Sequence, residues 1–497
     1  MSPLTHVLLV CASTFALSLA CVRTHESPRA AQTNSAAPEP IAFAEFFTAD
    51  AQGDEALANV RSLDRAARTA EGAFTQLPPE EHIRRAAVYH ANRAFDEARA
   101  HWQAVIERYP SDPNVPAAMF GIGRSLFQER RYSDALPVFQ KLGDTYPQTL
   151  GGRDGFYYVA ATLLRMERAQ EAAARYIEYT ARFPQGERIE NAYLNVIDSL
   201  REAGRPEEAL PWVARTRERF AATPTATNAL FARLRLDVSR GDWETAVRTA
   251  DELLRTPLGR GVQTSSSEVA YLKAYSLERA GRKEQAAQVY LSIPEGVNSY
   301  YGGLATARLG ALGGASKSAA SKRAASVQSQ TSAARANYPA PFREIILRSI
   351  GKRKLDPRLL LSIMRQESGF NPRVKSGAAA RGLMQLTVDT ASRYSARIGV
   401  ETLRDEDFYR PEISIGLSTE YLLELLGMFP DLPEAIAASY NGGEDSVARW
   451  VKRAGQKDPG VFASEVGFTE TKDYVFKVMS NYRAYKQLYT EDLRPRR

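Results

Sequence analysis

A four-residue pattern that returns every 37 residues constrains this 497-residue chain more than any other feature. Phe95-Asp96-Glu97-Ala98 is followed at that spacing by Tyr132-Ser133-Asp134-Ala135, Ala169-Gln170-Glu171-Ala172, Pro206-Glu207-Glu208-Ala209 and Trp243-Glu244-Thr245-Ala246. A sixth copy, Lys283-Glu284-Gln285-Ala286, comes after 40. Pro110, Pro147 and Pro184 close successive units, each after an aromatic residue (Tyr109, Tyr146, Phe183). Helix-type runs lie between pattern and proline: Trp102, Val105, Ile106 and Tyr109 fall at i, i+3, i+4 and i+7. The spacing predicts antiparallel helix pairs. The small alanine sits where the second helix presses on the first, and proline ends that helix because it lacks an N–H and clashes with the preceding turn. One such hairpin cannot bury its apolar stripe, so six in series stack into a helical solenoid.

The repeat array resembles the tetratricopeptide family at a slightly long period. It is expected to act as a concave surface for envelope protein partners or as a spacer for the domain that follows. The histidines His82, His90 and His101 within it are spread without paired ligand spacing, so no metal is expected there. Both cysteines, Cys11 and Cys21, lie in or beside an N-terminal apolar stretch, which excludes disulfide scaffolding and cysteine-ligated metal from the folded part. No cofactor is expected. From Tyr338 to the end there are 25 basic and 21 acidic residues, too small an excess to argue for a nucleic-acid partner.

Residues Val7 to Ala20 are apolar, too short to cross a bilayer as a mature span, and followed by polar sequence, as in a secretory signal. Ser18-Leu19-Ala20 fits small-x-small cleavage. Leu17 to Cys21 also looks like a bacterial lipobox, in which Cys21 would be lipidated and anchor the chain to a membrane. Both readings place the protein in the periplasm or cell envelope, the second as an outer-membrane lipoprotein. The layout expected is then a signal over 1–21, a flexible tether over 22–45, repeats over 46–312, a low-complexity linker over 313–337, rich in Ala, Ser and Gly, and a second domain over 338–497.

In that second domain Asp356-Pro357 starts a helix and Gly369 with Asn371-Pro372 ends it. Leu360, Ile363 and Met364 define its buried stripe. Glu367, seven, four and three residues later, lies on the same stripe and in the last turn. Burial disfavours its carboxylate, and so does the negative end of the helix dipole. A carboxyl group kept neutral near physiological pH is what a general acid requires. Asp389, in the first turn of a later helix, and the run Asp405-Glu406-Asp407, which reads as solvated loop, offer no second acid for a two-carboxylate scheme.

Four motifs follow in order: Gln366-Glu367-Ser368-Gly369, Gly382-Leu383-Met384-Gln385, Ser439-Tyr440-Asn441-Gly442-Gly443, and Phe468-Thr469-Glu470-Thr471-Lys472-Asp473-Tyr474-Val475. Together with Ser376 and Glu465 they resemble the soluble lytic transglycosylases, whose catalytic domain has a goose-type lysozyme-like fold. The resemblance covers about residues 357–489. It implies an all-α chain, solenoid then lysozyme-like domain, that cleaves the β-1,4 bond between N-acetylmuramic acid and N-acetylglucosamine of peptidoglycan glycan strands. Glu367 would act as acid and base, leaving a 1,6-anhydromuramoyl end. It also implies that Ser376, Met384, Gln385, Tyr440 and Asn441 line or serve the sugar-binding groove, and that Ser368 and Glu465 are structural or tuning residues. Ala379 stands where the family commonly has Gly, Val388 where Pro is frequent, and Gly442-Gly443 where Ala-Gly is usual. A hydrolytic muramidase on the same scaffold and a non-enzymatic envelope scaffold are the competing readings.

Overall fold

A computed structural model describes residues 53–69, 74–455 and 458–496. The signal, the tether and Cys21 lie outside the described residues. Within them the regular elements are all helices. A helix α1 (Asp54–Ala66) precedes six sequential pairs: α2 (Pro79–Ala91) and α3 (Phe95–Arg108), α4 (Val115–Gln128) and α5 (Tyr132–Thr145), α6 (Leu150–Arg165) and α7 (Ala169–Arg182). Then come α8 (Ile189–Glu202) and α9 (Pro206–Arg219), α10 (Pro224–Arg240) and α11 (Trp243–Arg255), α12 (Ser266–Arg279) and α13 (Lys283–Ser292). They are followed by α14 (Tyr300–Leu312), α15 (Gly314–Ala334), α16 (Arg343–Ile350), α17 (Pro357–Ser368) and α18 (Val388–Ser392). The last five are α19 (Pro411–Met428), α20 (Pro433–Gly442), α21 (Glu444–Ala454), α22 (Pro459–Glu465) and α23 (Thr469–Leu488). No helix among the described residues is long and apolar enough to cross a membrane.

Each copy of the repeated pattern opens the second helix of a pair, from Phe95 in α3 to Lys283 in α13. Its alanine, one turn in, is fully enclosed in all six (Ala98, Ala135, Ala172, Ala209, Ala246, Ala286). The turn before that helix has its own period. The residue two places ahead of the helix start has positive φ in every unit: Arg93, Arg130, Glu167, Gly204, Gly241 and Gly281. Three units use glycine there and three strain an ordinary residue into the left-handed region. The closing prolines also do what their position implies, since α3, α5 and α7 end at Arg108, Thr145 and Arg182, just ahead of the aromatic–proline pair.

The chain packs as two compact units. One takes the described residues up to Thr162 with Lys375–Arg381 and Thr387–Asp389. The other takes Leu163–Val374, Gly382–Leu386 and Thr390 onward. This partition does not follow the composition boundary near residue 313. The segment read as a low-complexity linker is the 21-residue helix α15. Alanine supplies helix propensity, while Ala320, Val327 and Thr331, spaced by seven and four, make one buried stripe. Arg323 adds hydrogen bonds to the carbonyls of Leu291 and Ile293 (3.2 and 2.9 Å).

In the first unit, histidines far apart in sequence meet. His82 Nδ1 lies 2.9 Å from His101 Nδ1, and His101 Nε2 lies 2.9 Å from Asp64 Oδ2. Asp64 also accepts from Arg85 (2.6 Å) and from the Tyr89 hydroxyl (2.7 Å). Burial pushes His82 down to about 4 and lowers His101 as well, favouring the neutral rings, and one ring donates to the other. The cluster fastens α1 to α2 and α3. The polar run at 405–407 is a 3₁₀ turn instead of open loop, with Asp407 accepting from the Arg404 amide (3.0 Å).

The turn strain is testable at Gly204, where an added Cβ would meet no atom within 4 Å. Gly204→Ala is expected to lose about 1 kcal/mol from the backbone conformation alone. Glu167→Gly, at the equivalent turn, is expected to match or exceed wild-type stability. Denaturant midpoints of the two variants check both signs.

Candidate active site

Helix α17 starts with the Asp356 side chain accepting from the Arg358 amide (2.9 Å) and Pro357 in the first turn, where no N–H is needed. It ends at Gly369, φ +56. Leu360, Ile363 and Met364 are completely buried, and Glu367 on the same stripe is 9% exposed. From α23, the Tyr474 hydroxyl donates to Glu367 Oε1 at 2.7 Å. Burial pushes the Glu367 carboxyl up to about 8; the Tyr474 hydrogen bond pulls it down, and the charge of Glu470 pushes it up again. The group is therefore protonated at neutral pH. With Oε1 accepting from Tyr474, the acidic proton belongs on Oε2.

Tyr440 stands in the same electrostatic neighbourhood. Its phenol is driven far above its ordinary range by burial and then by the Glu367 charge. Its hydroxyl donates to the Met384 carbonyl (2.7 Å) and pairs with the Ser418 hydroxyl (3.0 Å). Met384 itself is fully enclosed, so its side chain has no surface to offer a sugar. The expectation that it lines the groove is corrected: it fills core, and its backbone anchors Tyr440. The carboxamide oxygen of Asn441 accepts from the Thr471 hydroxyl (2.6 Å), tying α20 to α23. The neighbouring Gly442 has a physical reason, because a Cβ there would lie 2.9 Å from Thr471 Oγ1.

The Gly382-Leu383-Met384-Gln385 motif is a strained loop. Gly382 has φ +75, and an added Cβ would fall 1.9 Å from the Phe408 carbonyl oxygen. No side chain fits. Gln385 holds φ +47 and donates its amide to the carbonyls of Val374 and Gly382, both at 2.9 Å. Ser376, in the other compact unit, accepts from the amides of Ala378 (3.3 Å) and Ala380 (3.1 Å) and shapes its own loop. In that loop Ala379 has φ +58, the backbone that favours glycine. Lys375 and Arg381 of the same loop both pair with Asp54 of α1 (2.6 and 2.9 Å). Asp389 pairs with Arg93 (2.6 Å).

Ser368 accepts from the Phe370 amide (3.1 Å) and caps the end of α17. Glu465, 2% exposed, takes its partners from arginines: Arg201 (2.6 Å), Arg453 (3.3 Å) and Arg235 (3.7 Å). Burial alone would raise its carboxyl, but the three guanidiniums hold it below the ordinary range. No group of three or more His, Cys, Asp or Glu that could hold a metal occurs among the described residues. Sequence reasoning missed Tyr474 as the partner of Glu367 and Glu470 as the second acid in its field, although both stand in the fourth motif.

Residues 344–462 match the family of the transglycosylase SLT domain, and residues 84–148 and 231–299 match the tetratricopeptide repeat. The chain is similar to a putative soluble lytic murein transglycosylase of Haemophilus influenzae, 34% identical over 151 residues, covering 30% of this chain and 25% of the relative. The soluble lytic murein transglycosylase of Salmonella typhimurium is 31% identical over 150 residues, covering 30% and 23%. These matches span about a quarter of each relative's length. Among solved structures, the 70 kDa soluble lytic transglycosylase of Escherichia coli aligns over 88% of this chain and 85% of that one, at 17% identity and a TM-score of 0.47.

The raised Glu367 carboxyl has a stability consequence. Its folded value lies above its unfolded one, so folding is not penalised below about pH 4.5 and loses stability as pH rises toward 8. Glu367→Gln is expected to unfold with wild type at pH 4 and to be more stable at pH 8 by on the order of a few kcal/mol. Urea titrations at the two pH values check this.

Proposed function

We propose that this chain is a peptidoglycan lytic transglycosylase that cleaves the N-acetylmuramic acid–β-1,4–N-acetylglucosamine bond, with Glu367 as its acid and base. The observation that carries the reading is a single glutamate, buried on an apolar stripe, kept protonated by that burial and held in place by Tyr474. Glu367 gives its Oε2 proton to the glycosidic oxygen as the bond to C1 breaks. The carboxylate so formed is stabilised by the Tyr474 hydroxyl already aimed at Oε1. The substrate's N-acetyl group steadies the cationic C1. Glu367 then takes the proton of the C6 hydroxyl, and O6 closes on C1 to give the 1,6-anhydro end. The acid is regenerated without water.

In this scheme Gln385 and Tyr440 set the wall beside the acid, Asn441 locks α20 to α23, and Ser376 shapes its loop. Ser368 and Glu465 remain structural. The substrate is the peptidoglycan glycan strand, and the repeats serve envelope protein partners or spacing. Export to the periplasm and lipidation of Cys21 belong to the same proposal. One feature favours a hydrolytic outcome, a second acid, Glu470, whose charge acts on the Glu367 carboxyl. A base there could activate water across the bond.

Digestion of purified peptidoglycan with product mass spectrometry separates the readings. Anhydromuramoyl ends from wild type, reduced about a hundredfold or more in Glu367→Gln, are the expected result. Reducing ends that disappear in Glu470→Gln would establish the muramidase instead. No product from either protein would leave the scaffold.

A further inference from the structure

The fourth motif contains a lysine that the proposed chemistry leaves without a role. Lys472 lies in the first turns of α23 and is 3% exposed. Its ammonium is 2.8 Å from Oε1 of Glu268, a repeat residue at the start of α12 that is completely buried. The ammonium also lies 4.2 Å from the ring centre of Phe231 on α10. Glu268 is itself fixed: its amide donates to the Ser265 hydroxyl (3.3 Å), and its Oε2 accepts from the Thr264 hydroxyl (2.7 Å). A buried ion pair of this kind contributes little net stability, because desolvation offsets most of the attraction. It does impose one geometry.

That geometry reaches the acid along a single helix. Residues 472 and 474 are two positions apart on α23, about 200° around its axis. The Lys472 face therefore meets the repeat helices while the Tyr474 face meets α17, where its hydroxyl donates to Glu367 (2.7 Å). Thr471, between them, is pinned to Asn441 (2.6 Å). The opening turns of α23 are thus fastened in three directions, and two of the three fastenings belong to the transglycosylase domain. The third belongs to the repeats.

We propose that Glu268, in the repeat region, is a positioning residue for the reaction: through Lys472 it fixes the start of α23 and so aims the Tyr474 hydroxyl at Glu367. The inference rests on the transglycosylase reading, and it gives the repeats a part in catalysis beyond spacing or partner binding.

The test uses the full chain and the pH dependence of peptidoglycan cleavage. The groups in the field of Glu367 are Tyr474 and Glu470 on α23 and Tyr440 on α20; those around Lys472 are Glu268, Arg235 and Glu465. Loss of the Tyr474 hydrogen bond removes the one interaction that lowers the Glu367 carboxyl, so the basic limb of the profile moves up. Glu268→Gln is expected to lower kcat about tenfold with KM little changed, and to move the basic limb up by about half a pH unit or more. Tyr474→Phe is expected to do the same, and adding Glu268→Gln to it is expected to move the limb no further. Glu268→Asp keeps the buried charge and folds, shortens the reach, and is expected to move the limb in the same direction.

A structural role alone would lower the melting temperature and leave the profile in place. An unshifted limb in folded Glu268→Asp, or additive shifts in the double variant, overturns the proposal. If wild type cleaves no peptidoglycan, the function reading fails separately. The same cycle is then read from the Glu367 carboxyl by ¹³C NMR titration.

Discussion

The hydrogen bond between Tyr474 and Glu367 is the contact on which the candidate site depends. It joins the last turn of α17 to the opening of α23 at 2.7 Å, in a seat where the acid is 9% exposed. Three opposing influences meet on one carboxyl group. Burial drives it toward the neutral form, the phenol favours the anion, and the Glu470 charge disfavours it. The balance leaves a proton on the carboxyl at neutral pH and a hydroxyl donor already placed to stabilise the carboxylate that remains when that proton departs. A solvent-facing glutamate would have neither property.

The backbone around this seat stores strain. Phe370, Gly382 and Gln385 of the same compact unit all have positive φ, and just one of them is glycine. Such residues persist where neighbouring contacts over-determine them. Here those contacts are visible: two carbonyls accept from the Gln385 amide, and the Phe408 carbonyl crowds Gly382. The motif Gly382 to Gln385 therefore reads as a loop built for shape. Its methionine fills core and its glutamine braces backbone.

Much of the fold is legible in the sequence. Alanines spaced by 37, and by 40 before the last, mark where six helices begin, because a helix pressed against a neighbour tolerates little more than a methyl group at the crossing. Glu367 could be placed on a buried stripe by counting from Leu360. Other features were hidden for physical reasons. Composition marked 313–337 as a linker, but alanine-rich sequence forms helix once a sparse stripe of Ala320, Val327 and Thr331 finds something to cover. His82 and His101 meet across a helix pair, a juxtaposition with no local periodicity to announce it. The motif around Met384 suggests a surface position, whereas enclosure depends on what packs over it, and Met384 is fully buried.

The sequence by itself determined helix starts and stops, the repeat, and the presence of one acid on an apolar face, since each is written in spacings of three, four and 37 along the chain. The tertiary structure alone decided which groups surround that acid. Tyr474 is 107 positions from Glu367, and Glu268 is 204 positions from Lys472, so local pattern carries no trace of either pairing. Charge and hydrogen bonding act through space, and only packing brings those residues within their reach.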